Sequence, residues 1–322
     1  MLPENNRLHL LFALVLGMQL FAACEKPGDQ RPAVGQQEPE ASESHISVNG
    51  YANPEVLVDT EWVLANHADP DVRLLDVSSS PEVYAEGRLP HAGYVQWKTD
   101  LVNADNPVEG QILTADEFSK LMSRLGVQKD HTVVLYDNAN NLFAARAYWV
   151  LKYYRHEDAR VYNGGRKKWL ADGQELTTEA FAPVANNYVA GKPDPEIATD
   201  WEYVVNSIDD PSVRFCDARR PTEYEGEEVL SDRGGRIPGA TNIEWTRNVR
   251  EDGTFLEAHA LAELYQEAGF TPDQEIITYC QSGVRGAHTW FVLSELLGYP
   301  RVRNYDGSWE EYGNRTDSPI QN

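Results

Sequence analysis

Read for polarity, the chain alternates short apolar runs with longer amphipathic stretches. The runs "TVVLY" (132–136) and "EIITY" (275–279) have the length and β-branched content of buried strands. By contrast, "LTADEFSKLMSRLGV" (113–127) and "LEAHALAELYQEAGF" (256–270) carry apolar residues at helical spacing. Strands alternating with helices predict an α/β fold: a doubly wound parallel sheet with helices on both faces and ligand chemistry outside the carboxyl ends of the strands. The pattern also occurs twice. "VRLLDVSSSPEVYAEGRLPHAGYVQW" from Val72 parallels "VRFCDARRPTEYEGEEVLSDRGGRIPGATNIEW" from Val213, with extra residues in the second copy. "VVLYDNANNLFAARAYWVL" parallels "IITYCQSGVRGAHTWFVL", and "VYNGGRKKW" parallels "RNYDGSWEEY". The interval from Asp137 to Cys280 equals that from Tyr162 to Tyr305, so the register holds through both later blocks. The chain reads as a duplication. Residues 173–195 bear Pro, Asn and Lys without clear periodicity, which places an interdomain linker there between domains at 47–172 and 196–322.

The beginning of the chain follows a different pattern. Arg7 precedes "LHLLFALVLGMQLFAAC", an apolar stretch of signal-peptide length, and a polar segment rich in Pro and Gln follows. "FAAC" resembles a bacterial lipobox. The expectation is a signal peptide over 1–23, cleavage before Cys24, lipid attachment to its sulfur and a flexible tether over 24–46. The protein is then exported to the bacterial cell envelope and meets the membrane only through Cys24. An ordinary secretory signal with an incidental Cys24 is the alternative.

Composition narrows the possibilities. At 322 residues and 41% hydrophobic, the chain has enough apolar material for about two globular domains. A net charge of -23 argues against nucleic acid as a partner and requires any anion site to be built locally. The three cysteines, Cys24, Cys216 and Cys280, form no CxxC pair, and the eight histidines show no metal-ligand spacing, so no metal is expected.

Cys280 is the cysteine that carries chemistry. It follows the strand "EIITY" directly, a helical pattern begins within six residues, and Ser282 and Gly283 permit the sharp turn between them. In such a strand-loop-helix turn the backbone N–H groups of Gln281, Ser282, Gly283 and Val284 can curl toward the sulfur while the helix N-terminus adds partial positive charge. That environment favours thiolate over thiol, and Arg285 can add a full charge. A merely packed cysteine would need neither the polar loop nor the arginine. Cys216, in the apolar run "VRFC", suits the core instead.

The segment "CQSGVRGAHTWFVLSELLGYPRVRNYDGSWEEYGN" resembles the active-site half of tandem-domain rhodaneses, the thiosulfate and 3-mercaptopyruvate sulfurtransferases, and "CDARRPTEYEG" and "GRIPGATNIEW" support the resemblance. It covers roughly residues 50–318. It implies two tandem rhodanese-like domains of which only the second is catalytic, with Asp137 at the position matching Cys280. It further implies transfer of a sulfane sulfur from thiosulfate, through a Cys280 persulfide, to cyanide or a thiol acceptor, with no cofactor. Arg285 and Arg146 are the cations expected to meet a dianionic donor, Arg146 being lent to the cleft by the first domain. The resemblance also implies that Asp217 and Arg219 pair to fix the loop near the site.

For 3-mercaptopyruvate the match is weaker. Ser282 fits a loop serine of the mercaptopyruvate enzymes, but Arg285 replaces their usual Thr, and Arg88 stands where they carry a histidine, with His91 displaced beyond Pro90. A phosphatase cradle places arginine six positions after its cysteine, and here position 286 is glycine. A non-catalytic binding or sensing module is the remaining alternative, which replacement of Cys280 would distinguish.

Overall fold

The computed structural model describes residues 50–322, so the expected leader and tether, with Cys24, lie outside the described residues. Strands β1 (Leu57–Val58), β2 (Val72–Asp76), β3 (Gly93–Tyr94), β4 (Thr132–Tyr136) and β5 (Ala159–Tyr162) form one sheet in the order β1-β5-β4-β2-β3. Strands β6 (Ala198–Thr199), β7 (Val213–Asp217), β8 (Thr241–Asn242), β9 (Glu275–Tyr279) and β10 (Val302–Tyr305) form a second in the equivalent order β6-β10-β9-β7-β8. Every pairing within the two sheets is parallel. The duplication seen in the sequence is thus a duplication of topology.

Parallel strands covered on both faces must be apolar at alternate positions in both directions. Val72, Leu74, Val134 and Tyr136 point into a cluster on one side of the first sheet, whereas Leu75, Val133 and Leu135 point to the other. In the second sheet Phe215, Ile277 and Tyr279 face one way, and Cys216 and Ile276 the other. The inner faces of both sheets join a single core that includes Tyr148, Trp149, Trp290 and Phe291, so the two halves share one continuous apolar interior. The amphipathic stretches form helices where their spacing predicts: Ala115–Arg124 buries Phe118, Leu121 and Met122 behind a Thr114–Glu117 capping box, and Ala258–Glu267 buries Ala258, Leu261 and Tyr265.

Residues 173–195 do not hang free between the sheets. Thr177 bridges to Arg88, Asn186 Nδ2 donates to the Val127 carbonyl at 2.7 Å, and Gly191 N–H donates to the Tyr154 carbonyl at 3.0 Å. This segment is laid along the first domain. Its lack of periodicity reflects irregular backbone held by individual hydrogen bonds.

Candidate active site

Strand β9 delivers Cys280 to the carboxyl edge of the second sheet, and the helix Val284–Trp290 starts four residues later and continues as a π-helical stretch Phe291–Leu296. The turn depends on Gly283, whose φ of +74° is left-handed; a Cβ there would come within 2.6 Å of Asp306 Oδ1. Cys280 is buried, 1% exposed.

A hydroxyl from the next strand end holds the loop. Ser308 Oγ accepts from Cys280 N–H at 3.1 Å and Gly283 N–H at 3.0 Å, and donates to the Tyr305 carbonyl at 2.8 Å. The backbone of Trp309 and Glu310 then donates to the carbonyls of Cys280 and Gln281, at 2.9 and 2.8 Å. The Gly283 carbonyl accepts from Asn304 Nδ2 and from the N–H of Ala287. The loop is fixed from below through the backbone of Cys280, Gln281 and Gly283.

The first domain reveals what such a turn binds. Asp137, at the position of Cys280, folds its carboxylate into its own loop and accepts from the N–H groups of Ala139 (2.8 Å), Asn141 (3.0 Å), Phe143 (2.7 Å) and Ala144 (2.9 Å). Burial pushes this carboxyl up, and the four N–H donors oppose it. By the register of the repeat, the matching groups are the N–H of Ser282, Val284, Gly286 and Ala287. That of Ala287 is taken by the Gly283 carbonyl. The other three are the donors the second loop offers to an anion carried on Cys280.

The two arginines do not project into open solvent. Arg285 forms a two-pronged bond with Glu223, Nη1 to Oε2 at 2.6 Å and Nη2 to Oε1 at 2.8 Å. Burial works to lower the Arg285 pKa, but hydrogen bonding to Glu223 and the charge of that carboxylate outweigh it and raise it. Burial likewise raises Glu223, yet its bonds and charge contacts with Arg285 and Arg220 bring it down to about 2. Arg285 is therefore a fixed guanidinium behind the loop, its charge offset by Glu223. Arg146, expected to face the cleft, is 1% exposed and pairs with Asp306 Oδ1 at 2.5 Å. Its Nη2 reaches the Gly110 carbonyl at 3.3 Å, while Asp306 Oδ2 accepts from Ile112 N–H at 2.7 Å. This pair braces the first domain against the active-site loop. Asp217 and Arg219 are also paired and buried, Nη2 to Oδ2 at 2.6 Å, and Arg219 Nη2 donates to the Gly235 carbonyl.

Above the loop lies a cavity of about 360 Å³. Gln281, Ser282, Leu230 and Glu310 line it from the second domain, and Trp97, Lys98, Val102, Glu109 and Gly110 from the first. The walls meet closely, since a Cβ on Gly110 would lie 3.0 Å from Ser282 Cβ. Sequence reasoning missed Glu223, Asp306, Ser308 and Lys98. Ser308 and Asp306 lie in the "YDGSW" element that already marked the repeat, and Lys98 follows the Trp that closes "HAGYVQW", so the duplication held a signal for three of them. His288 is buried beside Trp245 and Phe255, and burial lowers it to about 3, which keeps it neutral.

The rhodanese-like domain model matches residues 59–172 and 200–315. The chain is similar to a protein named sulfur carrier protein TtuD from Thermus thermophilus, 43% identical over 84% of this chain and 98% of that one. A Mycolicibacterium smegmatis protein named "Putative thiosulfate sulfurtransferase" is 40% identical over 84% of this chain and 99% of its own length. Among solved structures, SseA of Escherichia coli, described as a 3-mercaptopyruvate sulfotransferase, superposes with a TM-score of 0.70 at 26% identity, covering 79% of this chain and 98% of that one. Both halves match the family's domain, and relatives of comparable extent align along nearly their whole length: the chain belongs to the rhodanese family of sulfurtransferases, as a tandem of two rhodanese-like domains.

Proposed function

We propose that the protein is a thiosulfate sulfurtransferase that works through a persulfide on Cys280. The Cys280 thiolate attacks the outer sulfur of thiosulfate, a new S–S bond forms, and the bond to the sulfonate sulfur breaks, sulfite leaving with the electron pair. The terminal sulfur then passes to a thiophile, cyanide or a thiolate, and Cys280 is regenerated as thiolate. The observation that carries this reading is the pair of equivalent loops: Asp137 fills the first cradle with a carboxylate bonded to four N–H groups, and Cys280 stands at the same register position in the second. The N–H groups of Ser282, Val284 and Gly286 stabilise the charge on the persulfide, and a preorganised donor of this kind contributes about 3 kcal/mol to a transition state. Arg285, locked on Glu223, holds an oriented ion pair behind the loop that needs no reorganisation.

Thiosulfate is favoured over 3-mercaptopyruvate by the arginine at position 285 and by Arg88. Arg88, at the position where the mercaptopyruvate enzymes carry a histidine, lies over the Tyr84 ring and donates to the carbonyls of Thr178 and Glu179, so it braces the linker and performs no proton relay. Ser282 on the cavity wall favours the second reading, 3-mercaptopyruvate as donor. Steady-state turnover to thiocyanate separates them: the proposal expects a higher kcat/KM with thiosulfate than with 3-mercaptopyruvate, and the reverse order refutes the donor assignment. The proposal also places the protein in the cell envelope, anchored by lipid on Cys24. Metabolic labelling with a fatty acid should tag the parent and not its Cys24→Ala variant, and equal labelling of the two would refute the anchor.

A further inference from the structure

Both arginines expected to meet a dianionic donor are neutralised by buried carboxylates, Arg285 by Glu223 and Arg146 by Asp306, and neither lines the cavity over the loop. Lys98 is the cation on that cavity's wall. Among the described residues it makes no ion pair. Its ammonium stands 5.3 Å from the centre of the Trp97 ring, and Trp97 in turn stacks on Phe143 at 4.8 Å. Phe143 is anchored through its N–H on Asp137. The lysine thus projects from a fixed platform of the first domain into the space beside Gln281 and Ser282. The same cavity holds Glu109 and Glu310, which repel a dianion.

We infer that Lys98 binds the anionic end of the sulfur donor and sets the preference of this site for sulfonate-bearing substrates. The inference rests on the persulfide reading above and names the substrate contact within it. A Lys ammonium is a compact point charge with three donors on a flexible stem, suited to a group of three equivalent oxygens that must turn as the S–S bond breaks. As Cys280 takes the outer sulfur, Lys98 holds the sulfonate, which departs as sulfite. Its loss leaves the mouth with carboxylates alone. The second half-reaction carries no sulfonate and makes no use of Lys98.

The test uses the full chain with Lys98→Ala and Lys98→Arg. Lys98 is exposed and unpaired, so neither change threatens the fold. A hydrogen bond to a charged group contributes about 1.5–3 kcal/mol, so Lys98→Ala should raise the KM for thiosulfate roughly tenfold or more. Lys98→Arg should recover most of that loss, and discharge of preformed persulfide by cyanide should stay within about twofold of the parent. An unchanged KM in Lys98→Ala, or an equal slowing of persulfide discharge, overturns the assignment. If the parent itself takes no sulfur from thiosulfate, the donor reading fails, and this inference falls with it.

Discussion

At one shared backbone angle, a change of residue distinguishes the second loop from its counterpart in the first domain. Ser308 has φ of +49°, and Gly165, its counterpart in the first repeat, has +50°, so the unit demands a left-handed residue at this point. Glycine meets the demand without cost, whereas the second half carries a serine whose hydroxyl holds the N–H groups of Cys280 and Gly283. Ser308→Gly removes the hydroxyl and keeps the backbone at ease; Ser308→Ala removes the hydroxyl and keeps the strain. Both should slow sulfur transfer, with Ser308→Ala the less stable, each orphaned N–H costing about 1–3 kcal/mol. Equal activity of either variant with the parent would show that the hydroxyl does not position the loop. Asp76 offers a second test at this scale. Its counterpart Asp217 is paired with Arg219, but Asp76 has no such ion pair among the described residues, and burial pushes it up to about 6 against bonds from Ser78 and Tyr136 and the charge of Arg166. A carboxyl raised in the fold contributes stability that is fully present below its ordinary value of 3.8 and is lost as pH rises through about 6. Asp76→Asn should flatten the stability profile over that window, measured by chemical denaturation. An unaltered slope would refute the assignment.

At the level of elements, each domain is a strand-loop-helix cradle whose occupant has diverged. Asp137→Asn leaves one carbonyl oxygen to serve four N–H groups, so at least one is orphaned at about 2 kcal/mol. The first domain should therefore lose thermal stability while the Cys280 persulfide still forms. Loss of persulfide formation without loss of stability would contradict a purely structural role. The cradle was legible in the sequence because its parts are local: β-branched run, cysteine, Ser-Gly, helical periodicity. So were the two parallel sheets, since alternation of strand and helix is a pattern within each copy. What the sequence did not expose was the engagement of the arginines. Glu223 sits in another helix, far from Arg285 along the chain, and Asp306 in the other half from Arg146. No periodicity encodes such a pair, because it arises only when two loops are brought to one sheet edge.

For the whole molecule, the duplication did not produce two independent domains. Tyr148 and Trp149 of the first half and Trp290 and Phe291 of the second belong to one core, and the Arg146–Asp306 pair crosses the same boundary beside the active loop. Residues 196–322 produced alone would expose this apolar face and leave Asp306 unpaired, so that half should aggregate and lose sulfur transfer. A soluble, fully active second half would contradict the shared core. The central claim, that the second cradle exists to carry sulfur on Cys280, is tested most directly by the intact mass of the protein before and after thiosulfate, with Cys280→Ser alongside. The account predicts a gain of one sulfur atom in the parent alone, reversed by cyanide with release of thiocyanate. A gain that survives in Cys280→Ser, or no gain with either thiosulfate or 3-mercaptopyruvate, would contradict it.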